Sequence, residues 1–161
     1  LNPRVEIANF WSLNGNWHFG AVDQQFNPRP AYHVLKLYAQ LFQGEIISTT
    51  SQGTTLTSST LGFVPARTDL SSVVSIASKS QETIRVLVIN RHPSRPARVN
   101  FQFQRATVFS VILKIALTAE DYFDHQIKVA SKKLTSENTS GDDFFVIPAH
   151  SISFYEYTIK R

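Results

Sequence analysis

The sequence predicts a mostly β chain, an antiparallel sandwich preceded by one amphipathic helix. Residues 30–43 are the stretch that repeats apolar side chains at helical spacing. Beyond Gly44 the chain changes to Ser/Thr-rich segments and short runs of β-branched and aromatic residues separated by turn signals, the texture of a sandwich. Within that texture, residues 84–89 are almost continuously apolar, whereas Val99, Phe101 and Phe103 alternate with Asn100, Gln102 and Gln104. The first pattern reads as a central strand and the second as a strand with one face in and one face out.

In chain order, residues 5–10 form a short apolar-rich strand candidate, followed by an irregular stretch over residues 11–30 that holds both tryptophans, Trp11 and Trp17. Arg29-Pro30 then places a proline where a first helical turn tolerates it. Tyr32, Leu35, Tyr38 and Phe42 recur at three- and four-residue spacing, Val34, Leu37 and Leu41 widen the apolar face, and Gly44 marks the end. Arg91-His92-Pro93-Ser94-Arg95-Pro96 reads as a turn, residues 108–115 as a further strand candidate whose composition a buried helix turn would also fit, and residues 116–123 as ambiguous. Residues 144–147, the corner Pro148-Ala149-His150 and residues 151–159 read as strand, tight turn and final strand.

The 161 residues suit one domain, or one domain plus a piece of another. A chain of this length buries roughly two thirds of its unfolded surface, enough for a core without staples. Hydrophobic content of 42% with 12% aromatics excludes a disordered chain. The absence of cysteine excludes disulfides, thiolate metal sites and thiol nucleophiles, and leaves the compartment open, with an extracellular setting favoured over a cytoplasmic one. Methionine is absent as well, so the chain reads as a fragment or a processed product. No apolar run reaches the ~20 residues of a membrane helix, and no membrane partner is expected. A net charge of +4 raises nucleic acid as a partner, but only Arg91, Arg95, Arg98 and Arg105 stand close together, and that reading is set aside.

A strand, a tryptophan-bearing loop, a helix opened by Arg-Pro and then a sandwich ending in an edge strand is a particular order of parts. Ala8-Asn9-Phe10-Trp11 and Asn27-Pro28-Arg29-Pro30-Ala31-Tyr32-His33-Val34-Leu35-Lys36-Leu37-Tyr38 resemble the eighth strand and helix of the (β/α)₈ barrel in α-L-arabinofuranosidases. Val86-Leu87-Val88-Ile89-Asn90-Arg91 is similar to that family's core strand ending in Asn, and Leu117-Thr118-Ala119-Glu120-Asp121 to its L-x-G/A-x-D segment. Phe145-Val146-Ile147-Pro148-Ala149-His150-Ser151 resembles its L-P-P-H-S corner. The resemblance implies the C-terminal region of a clan-A glycoside hydrolase. Residues 1–44 would be the terminal strand, loop and helix of the barrel, and residues 45–161 a jelly-roll-like β-sandwich.

Hydrolysis of a glycoside by the usual route needs two carboxyl groups about 5–9.5 Å apart. The resemblance implies that both lie on earlier barrel strands, outside this chain, so no catalytic residue is assigned. Glu6 and Asp23 are poor substitutes among the twelve carboxylates. Trp11, at the mouth of the implied eighth strand, is the leading sugar-stacking candidate, followed by Trp17 and His18; core packing is the competing role. Glu120, Asp121, Asp124 and His125 are the densest acid cluster but lack the spacing of a known metal motif, so no metal or other cofactor is expected. Neither His92 nor His150 has a catalytic partner arrangement. Asn138-Thr139-Ser140 is a glycosylation acceptor if the source is eukaryotic and secretory.

The leading expectation is an accessory, non-catalytic sandwich whose partners are the catalytic barrel of the same parent protein and its carbohydrate. The alternative is an independent carbohydrate-binding module, with Tyr155 and Tyr157 as the two aromatics at period-two spacing. A protein-interaction sandwich is a third reading. The segment before residue 44 is expected to dock on the sandwich or on a second copy of the chain, because its apolar surface is too large to leave in water.

Overall fold

A computed structural model describes residues 12–14, 20–103, 109–119, 127–133 and 144–159. The helix expected after Arg29 is α1, Pro30–Leu41, with Pro30 in its first turn and Arg29 extended before it. Phe42 leaves helical geometry, although its N–H still donates to the Tyr38 carbonyl at 2.8 Å. The helix thus stops short of Gly44, which has a different task. At φ +98 it turns the chain into the first strand, and a Cβ there would lie 2.3 Å from the Lys79 carbonyl oxygen.

Among the described residues ten strands follow: β1 Glu45–Ile47, β2 Thr55–Ser58, β3 Arg67–Ser71, β4 Val73–Lys79, β5 Thr83–Asn90, β6 Ala97–Val99, β7 Phe109–Thr118, β8 Lys128–Lys133, β9 Phe145–Ile147 and β10 Ser151–Ile159. Every pairing is antiparallel. The main sheet runs β1-β4-β5-β10-β7-β8, and β2-β3 and β6-β9 form two separate ribbons. This is the mostly β sandwich with one helix that the sequence predicts.

The apolar run at residues 84–89 is interior as expected, with β4 on one side of β5 and β10 on the other. The final strand is not at an edge: β10 lies between β5 and β7. Its composition accounts for this. Ser151, Ser153, Tyr155 and Tyr157 alternate with Ile152, Phe154 and Glu156, so both faces carry side chains that pack, as an interior strand covered on both sides requires. The 108–115 candidate is β7, which continues to Thr118, and of the ambiguous stretch 116–123 residues 120–123 lie outside the described residues. Only Ala97–Val99 of the alternating segment pairs, yet Val99, Phe101 and Phe103 all face the same core.

Two apolar layers therefore clothe one sheet. On one face, Ala77, Ile84, Val86, Val88, Tyr155 and Tyr157 meet Ile147 of β9 with Val99, Phe101, Phe103 and Phe145. On the other, Leu87, Ile115, Leu117 and Phe154 receive Val34, Leu37, Leu41 and Phe42. The helix thus docks on the sandwich through Val34, Leu37 and Leu41, spaced three and four residues apart. Being half-buried, each contributes about 1 kcal/mol, less than the roughly 1.5–3 kcal/mol of a fully buried apolar side chain. At the helix C-terminus, Leu41 borders a narrow gap with Phe154 and the Arg85–Glu156 ion pair, whose N···O separation is 2.6 Å. The β8 edge carries Lys128 and Lys132, charges that discourage another strand from pairing there.

Candidate carbohydrate-contacting surface

Trp11, Trp17, His18 and Asn138 lie outside the described residues, as do Glu6 and the cluster Glu120, Asp121, Asp124 and His125. Among the described residues no group of three His, Asp or Glu side chains is placed to hold a metal ion. Asp23, the other carboxylate singled out, shapes its own loop. Its Oδ1 accepts from the Gln25 and Asn27 N–H groups at 2.9 and 2.8 Å, and its Oδ2 accepts from the Asn27 side chain at 2.9 Å. Those bonds, led by the Asn27 side chain, hold its carboxyl below the usual range. Asp69 and Glu156 are each committed to an arginine.

Tyr155 and Tyr157 are not an exposed pair: they are 1% and 2% exposed and belong to the core. The reason is the interior position of β10, which turns its odd-numbered side chains toward the β6-β9 ribbon. There Tyr155 meets Phe101 and Phe145 at ring separations of 5.1 and 4.9 Å, and Tyr157 meets Phe103 at 4.9 Å. A carbohydrate-binding role for these two tyrosines is thereby overturned.

Burial pushes both phenols well above the ordinary tyrosine range, and for Tyr157 the nearby Tyr155 adds to the effect. In the unfolded chain a tyrosine ionises near pH 10, whereas here the folded state holds the proton to higher pH. Their contribution to stability is therefore complete below about pH 10 and is lost as pH rises above it. Alkaline titration followed by circular dichroism should show unfolding that begins above about pH 10. A Tyr155→Phe/Tyr157→Phe variant should unfold at higher pH, and an unchanged midpoint would refute this cause.

One end of the sheet is tied by polar side chains. Asn90, 1% exposed at the end of β5, donates from Nδ2 to the carbonyls of Arg95 and Pro148, each at 2.9 Å, and of Ile147 at 3.3 Å. Its Oδ1 accepts from the His92 N–H at 3.0 Å. His92, expected as a turn residue, is one: its Nδ1 accepts from the N–H groups of Ser94 and Arg95. His150, at φ +34, bridges further, with Nδ1 2.8 Å from the Pro93 carbonyl and Nε2 2.7 Å from the Ala119 carbonyl. These residues position loops.

From the same end springs the β2-β3 hairpin. The Ser72 N–H donates to the Thr54 carbonyl at 2.9 Å, and the Thr54 and Ser72 hydroxyls lie 2.8 Å apart. At its tip, Leu61 and Val64 exchange N–H···O bonds of 3.0 Å each, closing a turn that leaves Leu61, Phe63 and Val64 exposed, with Phe63 fully so. Sequence reasoning passed over this aromatic. Its signal is Gly62, a turn residue between two apolar ones inside a Ser/Thr-rich stretch.

The architecture matches solved glycoside hydrolases. With the α-L-arabinofuranosidase from Thermotoga maritima, solved as an arabinose complex, the TM-score is 0.70 at 15% identity, over 87% of this chain and 32% of that one. The fold is shared with glycoside hydrolases. The GH51 α-L-arabinofuranosidase from Thermotoga petrophila gives 0.68 at 15% identity, over 85% of this chain and 31% of the other. A GH30 endoxylanase from Clostridium papyrosolvens gives 0.53 at 16% identity, over 89% and 31%. This chain thus spans about a third of the length of the enzymes it matches. No family model matches the sequence, and no curated protein is similar to it. The resemblance drawn from the sequence motifs therefore holds at the level of fold, which this chain shares with part of those enzymes.

Proposed function

We propose that this chain is the accessory, non-catalytic C-terminal part of a glycoside hydrolase of α-L-arabinofuranosidase type, packing on a catalytic (β/α)₈ barrel and stabilising it. The observation that carries the reading is the fold match, which takes in nearly all of this chain and only a third of the enzyme. On this reading residues 1–44 close the barrel and residues 45–161 are the sandwich. The rest of the parent protein supplies the two carboxyl groups of the reaction.

The helix supports it. Its inner face meets the sheet, yet Leu35 and Tyr38 are exposed on its outer side, where a barrel neighbour would cover them. Charging that outer side should therefore leave this chain's own stability nearly unchanged. Leu35→Lys and Tyr38→Lys are expected to shift unfolding by less than about 0.5 kcal/mol, the usual range for surface substitutions, while Leu37→Lys unfolds the helix from the sheet. Urea denaturation decides, and equal losses at positions 35 and 37 would contradict the two-sided helix. The functional claim is tested by assaying this chain alone on 4-nitrophenyl arabinofuranoside and xyloside. No turnover is expected, and turnover lost on changing a carboxylate of this chain would overturn the accessory role.

A further inference from the structure

We propose that α1 couples the sandwich to the loop before it, so that packing on the sheet sets the position of residues 20–29. The coupling is read from this chain, and its consequence rests on the accessory reading above. On that reading the loop joins the last strand of the barrel to its last helix, and such loops build the active-site face. The sandwich then positions part of the substrate mouth as well as stabilising the barrel.

Order in the helix comes from the sheet. The helix has 12 residues, no side-chain cap from Arg29, no acid in its first turn and no base in its last. Isolated helices of this length are marginal in water, and this one lacks the end groups that would help it. Pro30 favours its start, but its burial is supplied from outside, by Leu87, Ile115 and Phe154 beneath Val34, Leu37 and Leu41.

The loop in turn is built onto the helix start. Val22 pairs antiparallel with Pro28, and the Arg29 N–H donates to the Ala21 carbonyl at 2.9 Å. At the far end of this small hairpin the Asp23 N–H donates to the Asn27 carbonyl at 3.0 Å, and the Asp23 carboxylate accepts from the Asn27 backbone and side chain. Ala21 and Val22 are buried, and the Val22 N–H donates to the Leu13 carbonyl at 2.9 Å. A hairpin closed by its own bonds and tied at its foot to residue 29 moves with the helix that begins at residue 30. Loss of the sheet contacts frees the helix, and the loop loses its footing with it.

Two consecutive residues of β5 separate this from a general loss of stability. Leu87 packs on the face that receives α1, and Val88 on the opposite face beneath the β6-β9 ribbon. Amide hydrogen exchange of this chain, followed by NMR, reads the loop directly. In Leu87→Ala the Val22 and Arg29 amides should exchange about tenfold faster than in the native chain, because the helix opens as a local unit. Val88→Ala should leave both amides unchanged and speed those of β6 and β9 instead. Leu87→Val, a smaller change, should show the same ordering if Leu87→Ala fails to fold. Equal acceleration of the Val22 and Arg29 amides by changes on the two faces, or none on changing Leu87, would overturn the coupling.

The consequence is read in the complete polypeptide. There Leu87→Ala should raise KM for 4-nitrophenyl arabinofuranoside about threefold with kcat nearly unchanged, and Val88→Ala should alter neither. An active polypeptide whose KM ignores both changes would overturn the loop's part in the substrate mouth. A polypeptide without turnover would instead remove the accessory reading, and the exchange rates would still decide the coupling.

Discussion

Replacing Asn90 by leucine is expected to destabilise this chain by about 3 kcal/mol and to lower its melting temperature by about 9 °C. The side chain is buried and joins the end of β5 to two loops: three carbonyls accept from Nδ2 and one N–H donates to Oδ1. Leucine has the same branched outline and number of side-chain heavy atoms but leaves those backbone groups unpaired where water does not reach them, and an unpaired buried group costs about 1–3 kcal/mol. Aspartate is the sharper variant. It presents only acceptors to three carbonyl oxygens, so Asn90→Asp should be less stable than Asn90→Leu at neutral pH. It should recover in part at acid pH, where the protonated acid donates one bond. Differential scanning calorimetry of the two variants at two pH values distinguishes this network from simple loss of packing.

A comparable loss is expected from a single methyl group at Gly44. The +98° φ strains any L side chain, and the added Cβ would meet backbone atoms of Lys79 at 2.3 and 2.8 Å. Lys79 is paired with Glu45, so it cannot retreat without opening the β1-β4 edge. Gly44→Ala should destabilise by about 3 kcal/mol, combining conformational strain with displacement of packed backbone. Gly62 supplies the comparison, with φ +57 and nothing within 4 Å of the point where an added methyl would sit. Gly62→Ala should lose only about 1 kcal/mol, the left-handed penalty by itself. Equal effects at the two glycines, measured by urea denaturation, would show that close approach to Lys79 is not what requires Gly44.

Much of the fold was legible because periodicity is a local signal. Pro30 and the spacing of Val34, Leu37 and Leu41 mark the helix, and the unbroken apolar run of β5 marks an interior strand. The neighbours of β10 were not legible. Its alternation of Tyr155 and Tyr157 with Phe154 and Glu156 reads equally as an edge with exposed aromatics or as an interior strand covered on both faces. Only the pairing with β5 and β7 decides between them. That one topological fact moved both tyrosines from a proposed sugar surface into the core. Phe63 was missed for the converse reason, since exposure of an aromatic on a turn depends on what fails to fold over it. Of the sugar-contact candidates, Trp11, Trp17 and His18 fall outside the described residues, and their part in the surface remains a proposal.

The proposed role is that of a chain supporting a catalytic body it does not itself contain. The most direct measurement compares glycosidase activity and thermal stability of the polypeptide from the complete reading frame with and without residues 45–161. Arabinofuranosidase-type activity is expected in the complete polypeptide, with a much lower melting temperature once the sandwich is removed. A complete polypeptide without glycosidase activity, or one whose activity and stability are indifferent to the sandwich, would contradict that role.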